Sequence, residues 1–216
     1  MVTMQTFESR EEWLKARAGR IGGSDASAIV GLNPYMDNVT LWKIKTGQLV
    51  PEDISDKPYV KYGTEAEEHL RKLFSLDFPE YQVFYEENNM WFNSDYPFGH
   101  ASLDGWLVDQ DGRKGILEIK TTNILQSMQK EKWNHQIPDN YYIQLLHYLM
   151  VTEFDFAVLK AQLKFDYGGD IVLSTRHYKI ERSEVEEDIK LLKSSEFEFW
   201  QQMRKGIKPA LILPEI

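Results

Sequence analysis

The residue types best suited to chemistry lie in two short stretches, Leu103-Asp104-Gly105-Trp106 and Leu117-Glu118-Ile119-Lys120. Side chains along a β-strand alternate between its two faces, so Glu118 and Lys120 share one face of a strand that is otherwise apolar. A carboxylate and an ammonium group therefore project side by side. Taken alone, such a pair also fits an exposed strand edge that carries a salt bridge.

The two stretches are predicted to face each other across a β-hairpin. Asp111-Gly112 between two apolar runs favours a tight turn, with strands over residues 101–108 and 115–121. A turn centred between those two residues places Asp104 opposite Ile119. We therefore expect a one-residue bulge that aligns the faces, because bulges are common beside active sites.

Two carboxylates held a few ångströms apart repel each other unless one is protonated or a cation lies between them. A hard divalent ion such as Mg²⁺ or Mn²⁺ prefers oxygen ligands and resolves the conflict between Asp104 and Glu118. Such an ion also polarises a phosphoryl oxygen and lowers the pKa of a bound water. With Lys120 nearby to orient that water, the three side chains favour metal-dependent cleavage of a phosphate ester.

An aspartate followed by a Glu-x-Lys triplet resembles the PD-(D/E)xK nuclease motif, although Leu103 stands where that motif has proline. Further blocks in the same order make the chain similar to the YqaJ-type viral recombinase family, which includes phage lambda exonuclease. The resemblance covers roughly residues 11–155. Its blocks are WLKARAGRIGGSD at 13–25, YGTEAE at 62–67, SLDG at 102–105, LEIK at 117–120 and YIQLLHY at 142–148.

The resemblance implies a role for each residue of the central motif. Asp104 and Glu118 would bind the metal ion together with the backbone carbonyl of Ile119. Lys120 would position or help to activate the attacking water. The implied cofactor is Mg²⁺, with Mn²⁺ as the alternative.

Residues outside the central motif also receive roles from the resemblance. Glu67 would add a carboxylate for the first or a second metal ion, and Glu65 is its rival. Gln144 would help to order the site from the following helix. Arg17 and Ser24 match the family's pocket for a terminal 5′-phosphate, although an ordinary surface arginine is the alternative for Arg17.

Structural roles are open for several of these residues. Thr64 and Glu67 have the spacing of a capping box at a helix start, which needs no catalysis. Ser24 is a natural N-cap residue. Gln144 and Tyr148 lie one helical turn apart and face the same way, so they could simply border a helix packed on a sheet.

By resemblance, the chain is a Mg²⁺-dependent exonuclease that degrades one strand of linear double-stranded DNA from its 5′ end. It would leave 3′ single strands for phage-type recombination, and its partners would be DNA ends and a single-strand annealing protein. Relatives form trimeric rings, so a homotrimer is expected. The alternatives are an endonuclease of the same fold, of restriction or repair type, and a non-catalytic acidic DNA mimic or accessory protein.

The elements that must position these residues are predicted to form one α/β domain over residues 1–216. Its expected architecture is a restriction-endonuclease-like core, a mixed central sheet flanked by helices. Residues 127–133 are ambiguous. Helices are predicted over 11–17, 24–31, 38–46, 64–74, 138–152 and 183–205, with a capping box at 183–186, and strands over 81–85, 90–92, 101–108, 115–121, 156–163 and 171–180.

Composition limits the classes of function. The chain has 34 acidic and 25 basic residues for a net charge of −9, which argues against DNA binding driven by the field of the whole molecule. The absence of cysteine excludes disulfides, thiolate nucleophiles and cysteine-ligated iron–sulfur clusters. No stretch approaches the roughly 18 apolar residues of a membrane span. Without cysteine the expected location is the cytoplasm, and the resemblance implies a bacterial host and a phage or prophage origin.

Overall fold

The computed structural model describes residues 1–213, so residues 214–216 of the predicted domain lie outside the described part of the chain. Among the described residues, none of the helices is long and apolar enough to cross a membrane. The strands are β1 (Val2–Thr6), β2 (Gln82–Phe84), β3 (Asn89–Asn93), β4 (Gly105–Val108), β5 (Lys114–Ile124), β6 (Phe156–Tyr167) and β7 (Asp170–Glu181). The helices are α1 (Arg10–Ala18), α2 (Gly23–Ile29), α3 (Asn38–Lys45), α4 (Pro58–Asp77), α5 (Ser127–Glu131), α6 (Asp139–Thr152) and α7 (Glu186–Lys205).

The central sheet has the strand order β2-β4-β5-β6-β7, and within it only β5 and β6 run parallel. Parallel neighbours need a crossover connection, and the segment that contains α6 supplies it. β6 and β7 form the predicted hairpin, where Gly168 and Gly169 adopt positive φ angles that glycine tolerates without steric cost. The predicted α/β fold with a mixed central sheet is therefore confirmed.

An apolar core covers each face of the sheet. On one face, Leu70 and Phe74 of α4 pack against Leu117 and Ile119 of β5. On the other face, α2, α6 and α7 cover a larger core, and most of α6 is buried there. Because side chains alternate along a strand, Glu118 points to the α6 face. Helices on both faces therefore reach the part of β5 that carries the predicted motif.

The hairpin that carries the predicted site has a different register from the expected one. Gly105 lies opposite Leu117, and the strands are joined by a three-residue loop instead of a two-residue turn. Gly112 closes this loop with φ of 78°, which is the usual conformation at its third position. The register is shifted by one residue and brings Asp104 beside Glu118. The one-residue bulge that was expected is therefore present, but it lies in the loop at Gly112 and not beside the site.

α4 begins earlier than predicted and removes one structural alternative at the site. Pro58 is at its first turn, where the missing N–H of proline needs no partner. Thr64 is therefore inside the helix, and the capping box that it was expected to form with Glu67 is wrong. The prediction of helix over 64–74 covers only the middle of α4, which includes Leu70 and Phe74 that pack on the sheet.

The starts of two other helices also differ from the expected ones. α2 begins at Gly23, and the carboxylate of Asp25, rather than the Ser24 hydroxyl, accepts the N–H of Gly22 at 2.8 Å. Ser24 is thus not the N-cap. α7 begins at Glu186 without a side-chain cap, so the capping box expected at 183–186 is wrong as well.

Two strand predictions missed long-range pairing. The strand expected over 101–108 is shorter, because Ala101 makes only an isolated bridge with Trp91 and β4 starts at Gly105. β1 was not predicted, and it pairs with β3 outside the main sheet. Both differences depend on partners that lie far away in the sequence, which a local pattern does not reveal.

Candidate active site

One cleft of about 830 Å³ gathers the predicted site residues beside the start of β4. They come from α1, α2, α4, β5 and α6 and from the segment that precedes β4. All the side chains predicted for the site border this space: Arg17, Ser24, Glu67, Asp104, Glu118, Lys120 and Gln144.

The cleft opens where β5 extends beyond β4. Their pairing stops at Gly105 and Leu117, so within residues 1–213 no strand lies beside the following part of β5 on this edge. The side chain of Asp104 takes the next pairing position, because its Oδ2 accepts the N–H of Ile119 at 2.8 Å. The N–H and C=O groups of one strand residue point to the same edge, so the Ile119 carbonyl faces this opening as well.

Asp104 is held from both sides through the backbone. The buried Asn89 side chain donates to the Leu103 carbonyl at 2.8 Å and accepts the Leu103 N–H at 3.0 Å. Arg71 donates to the carbonyl of Asp104 itself. Neither Asn89 nor Arg71 was predicted, because both act on backbone that only the tertiary structure brings near them.

Glu118 is the centre of a buried hydrogen-bond network. Its Oε1 accepts from Lys120 Nζ at 2.7 Å and from Gln144 Nε2 at 2.7 Å. Gln144 also donates to the Tyr148 hydroxyl at 2.9 Å, one turn along α6. Gly23 lets α2 pack tightly on α6, because a Cβ there would lie 2.5 Å from the Tyr148 ring. This packing brings the start of α2 to the cleft.

Glu67 reaches the cleft from α4 and meets a cation there. Its Oε1 accepts from Arg71 Nη1 at 3.0 Å, and the Arg71 guanidinium lies 3.5 Å from the centre of the Tyr85 ring. Glu65 is exposed and does not border the cleft, so the geometry favours Glu67 as the additional carboxylate. The i,i+4 spacing of Glu67 and Arg71 is a sequence signal from which the pair could have been found.

Helix α1 contributes basic and aromatic side chains to the cleft. Arg10, Trp13 and Arg17 border it from α1, and the Arg17 guanidinium lies 4.2 Å from the centre of the Trp13 ring. Ser24 is exposed at the start of α2. Ser102 also borders the cleft, and its buried hydroxyl has no hydrogen-bond partner among the described residues. A guanidinium and hydroxyl groups are the donors that suit a phosphate.

The acids of the cleft oppose one another's ionisation. Burial, followed by the charge of Asp104, raises the pKa of Glu118 to about 8 and that of Glu67 to about 7. Burial also raises the pKa of Asp104. Burial disfavours the charge on Lys120, but Glu118 and Asp104 outweigh it and raise the lysine's pKa. The site therefore contains a permanent ammonium group and carboxylates that need a further cation to ionise together.

The oxygen atoms of the cleft fit a divalent metal ion. Glu118 Oε2 is buried without a hydrogen-bond partner among the described residues, and its side chain borders the cleft. Within residues 1–213, no three or more His, Asp or Glu side chains are arranged to hold a metal ion. Mg²⁺ commonly binds through only one or two carboxylates and keeps several waters. Asp104 and Glu118, with the Ile119 carbonyl, form a donor set of that kind.

Comparison with known proteins shows similarity in sequence. Residues 12–155 match the model of the YqaJ-like viral recombinase domain family. The uncharacterized protein YqaJ of Bacillus subtilis (strain 168) is 34% identical over 207 residues, which cover 94% of this chain and 59% of the relative. The chain thus spans about three fifths of the length of that relative.

Solved structures show similarity in fold. An alkaline exonuclease from Laribacter hongkongensis, which is also solved in complex with dAMP, superposes with a TM-score of 0.60 at 15% identity, over 90% of this chain and 95% of that one. A phage-related exonuclease from Haemophilus somnus 129PT gives a TM-score of 0.56 at 16% identity, over 87% and 96%. At these identities the shared property is the fold.

Proposed function

The chain belongs to the YqaJ-like viral recombinase domain family, and on this premise we propose that it is a Mg²⁺-dependent deoxyribonuclease. It would degrade one strand of linear double-stranded DNA from the 5′ end and leave a 3′ single strand for annealing. The observation that carries the proposal is one cleft that Asp104, Glu118 and Lys120 border together with basic and hydroxyl-bearing residues.

Each residue of the central motif would have a distinct task in phosphodiester hydrolysis. Asp104 and Glu118 would hold the metal ion with the Ile119 carbonyl, and Mn²⁺ is the alternative ion because it accepts the same oxygen ligands. When bound, the ion polarises a phosphoryl oxygen and lowers the pKa of a water. Lys120, held 2.7 Å from Glu118, would orient the attacking water and stabilise the negative charge that develops on the phosphate. Gln144 would keep Glu118 in place.

Glu67 and its partner would complete the acidic side of the cleft. Glu67 would add a carboxylate to the site, and Arg71 would limit the repulsion between this acid and Asp104, since it contacts both residues. A guanidinium in this position would also hold the backbone of Asp104 when DNA enters and leaves.

Strand polarity would come from recognition of the DNA end. Arg17 offers a planar fork that binds two phosphate oxygens at once, and Ser24 and Ser102 border the same cleft. A terminal 5′-phosphate held there would place a nearby phosphodiester at the acids. The dAMP complex of the alkaline exonuclease, in which this fold contains a nucleoside monophosphate, supports a site for a mononucleotide.

The decisive experiment compares end-labelled linear duplex with nicked and covalently closed circular duplexes, with and without Mg²⁺. We expect label to leave the 5′ ends of the linear DNA only with Mg²⁺, and the closed circle to stay intact. The Lys120→Ala variant is the control for a contaminating nuclease. Cutting of the closed circle supports the endonuclease alternative, and no hydrolysis with either Mg²⁺ or Mn²⁺ contradicts nuclease activity.

Arg17→Ala tests the proposed end recognition. Loss of the guanidinium should slow degradation roughly tenfold on 5′-phosphorylated ends, which corresponds to about 1.4 kcal/mol, and should affect 5′-hydroxyl ends much less. Lys15→Ala on the exposed part of the same helix is the matched control. An equal loss on both kinds of end would contradict a 5′-phosphate pocket at Arg17.

The partners are proposed on the basis of family membership, and no surface feature of the molecule is used to infer them. A nuclease that prepares 3′ single strands would act with a single-strand annealing protein, in the cytoplasm of a bacterial host. We propose a homotrimer, as the resemblance implies. Light scattering coupled to size-exclusion chromatography measures the mass directly, and a monomer or dimer at all concentrations would exclude the trimer.

A further inference from the structure

A second pocket adjoins the cleft, and we propose that it binds one nucleobase of the DNA strand that is being degraded. This inference rests on the proposed nuclease function and adds a binding subsite to it. The pocket has a volume of about 210 Å³. Its lining residues come from the start of α4, the end of β5 and β6: Pro58, Tyr59, Tyr62, Thr121, Thr122, Asn123 and Lys164.

The pocket continues the path of the cleft along the same two elements. The cleft is bordered by Lys120 of β5 and Thr64 of α4, and the pocket begins with Thr121 and Tyr62. At about 3.3 Å per strand residue, Asn123 lies roughly 10 Å from Lys120. A strand whose scissile phosphate is at Lys120 therefore reaches the pocket with a neighbouring nucleotide.

The position also fits the direction of the strand. The proposed phosphate-binding residues Arg17 and Ser24 belong to α1 and α2, and α2 packs on the α6 face of the sheet. The pocket lies instead under the first turns of α4, which covers the opposite face. A strand held by its 5′ end near Arg17 would pass the acids and continue toward the pocket in its 3′ direction.

The side chains of the pocket have the chemistry of a single-strand subsite. Tyr59 and Tyr62 are 56% and 37% exposed, so their rings are accessible to a ligand. The Tyr62 hydroxyl donates to Gln162 Oε1 at 2.6 Å, and Lys164 Nζ lies 5.1 Å from the centre of the Tyr62 ring. Proteins bind single strands by stacking bases on aromatic rings beside cations that meet the backbone. Tyr62 and Lys164 provide one such pair.

Charge distinguishes this pocket from the cleft beside it. Acids such as Glu68 and Glu87 border the cleft in addition to the proposed metal ligands. The residues that line the pocket include no acid, and Lys164 contributes a positive charge. In a chain with a net charge of −9, such a surface is where a polyanion meets least repulsion.

Backbone groups of β5 can hydrogen-bond a base in the pocket. Thr121 and Asn123 follow Ile119 at intervals of two, so their N–H and C=O groups point to the edge that β4 leaves uncovered. α4 lies close to this edge at Gly63, where a Cβ would be 3.2 Å from Thr121 Oγ1. The helix and the open strand edge thus form two fixed walls.

The test measures binding of a fluorescent single-stranded oligothymidine with a 5′-phosphate, by anisotropy, with Ca²⁺ replacing Mg²⁺. Tyr62→Ala should weaken binding roughly tenfold because a stacking ring is lost, and Tyr62→Phe should bind like wild type because the ring remains. Lys164→Ala should weaken binding and reduce its dependence on salt. Tyr167→Ala removes another exposed tyrosine, outside the pocket, and should change nothing.

A set of oligothymidines with one abasic position each locates the base. Wild type should lose affinity for one abasic position near the 5′ end, and Tyr62→Ala should not respond to that same position. Equal binding by wild type and Tyr62→Ala would overturn the proposal. Equal loss in Tyr62→Phe and Tyr62→Ala would also overturn it, because the hydroxyl bond to Gln162 and not the ring would then be responsible.

Failure of the subsite can be told apart from failure of the nuclease proposal. If the subsite alone is wrong, the protein still degrades 5′-labelled duplex with Mg²⁺, while Tyr62→Ala binds the oligothymidine normally. If the nuclease proposal alone is wrong, no protein sample releases label with Mg²⁺ or Mn²⁺, while the anisotropy and abasic series still report on Tyr62.

Discussion

Helix α6 joins two buried clusters of charged groups that differ in charge balance and in access to solvent. On the cleft side, Gln144 binds Glu118. Glu118 belongs to a group of three acids, with Glu67 and Asp104, and two cations, Arg71 and Lys120. Farther along the helix, His147 Nδ1 lies 2.8 Å from Glu196 Oε1, and its Nε2 lies 2.9 Å from the His100 carbonyl. Both side chains of this second pair are 0% exposed.

The His147–Glu196 pair matches one acid with one base. Burial disfavours a charge on the imidazole, but the Glu196 carboxylate outweighs burial and raises the pKa of His147. Both Glu118 and Glu196 have one buried oxygen without a hydrogen-bond partner among the described residues. The side chain of Glu118 borders an open cleft, whereas that of Glu196 lines neither of the two pockets described above.

The difference shows what separates a reaction site from a structural ion pair. Burial of a charged group is common to both clusters and therefore does not identify a site. The group around Glu118 has one more acid than base, and it borders a space in which a cation or a phosphate can meet it. The internal pair has neither, so we expect it to stabilise the packing of α7 on α6 and to have no part in hydrolysis.

The largest expected effect comes from Asp104→Asn on the cleft side. The amide keeps the size of the side chain but removes a metal-binding charge, and metal-ion catalysis is worth several kcal/mol, which corresponds to a rate loss on the order of a thousandfold. The rate of label release from linear duplex measures it. The melting temperature in EDTA should not fall, because the substitution relieves repulsion between buried acids. An active Asp104→Asn variant would remove this residue from the proposed site.

Glu196→Gln, in the internal ion pair, should lower the stability and leave the reaction rate nearly unchanged, which is the opposite of Asp104→Asn. Removing one partner of a buried ion pair leaves the other charge unpaired and costs about 3 kcal/mol of unfolding free energy. Urea denaturation measures that loss. The rate of DNA degradation per folded molecule should stay within about twofold of wild type. A folded variant with a large loss of rate would show that the two clusters act together. That result would contradict the purely structural role of the internal pair.

The last effect is on stability alone, and it is a change of stability with pH in the metal-free protein. The pKa of Glu118 is raised from 4.5 to about 8, so between these values the folded chain holds a proton that the unfolded chain has lost. The unfolding free energy must therefore fall as pH rises through this window. Melting temperatures measured in EDTA from about pH 5 to 8 should show the fall, and saturating Mg²⁺ should reduce it.

Glu118→Gln isolates this contribution. Glu67, Asp104 and His147 also have raised pKa values and lower the unfolding free energy in the same direction as pH rises. Burial lowers the pKa of His100, which acts in the opposite direction. The wild-type curve therefore contains the contributions of all these groups. The part of the slope of melting temperature against pH that disappears in Glu118→Gln is the contribution of the acids in the cleft. Parallel curves for wild type and the variant would contradict the raised pKa of Glu118.

Several features of the site could be predicted because they are local properties of the chain. Alternation along β5 places Glu118 and Lys120 on one face, and the helical spacing of Gln144 and Tyr148 puts them on one side of α6. The turn between β4 and β5 was expected at the correct place, but its register was shifted by one residue. Loop length decides register, and Asp111-Gly112 is compatible with both a two-residue and a three-residue loop.

Other features depend on segments that are distant in sequence. Asn89 holds the backbone of Leu103, and Arg71 reaches Asp104 from another element. Because α4 begins at Pro58, Glu67 lies inside the helix and is not a capping residue. No pattern within a short window contains these contacts, because each needs two segments to be packed together first.

The sequence by itself determined the chemical groups available, their alternation on β5 and the family to which the chain belongs. Only the tertiary structure decided that Asp104 takes an unused pairing position on β5, that Glu67 meets Arg71, and that Arg17 borders the same cleft as the acids. Side-chain direction along one element follows from backbone geometry a few residues long. Distance between elements follows instead from how their apolar faces pack, which is a property of the whole fold.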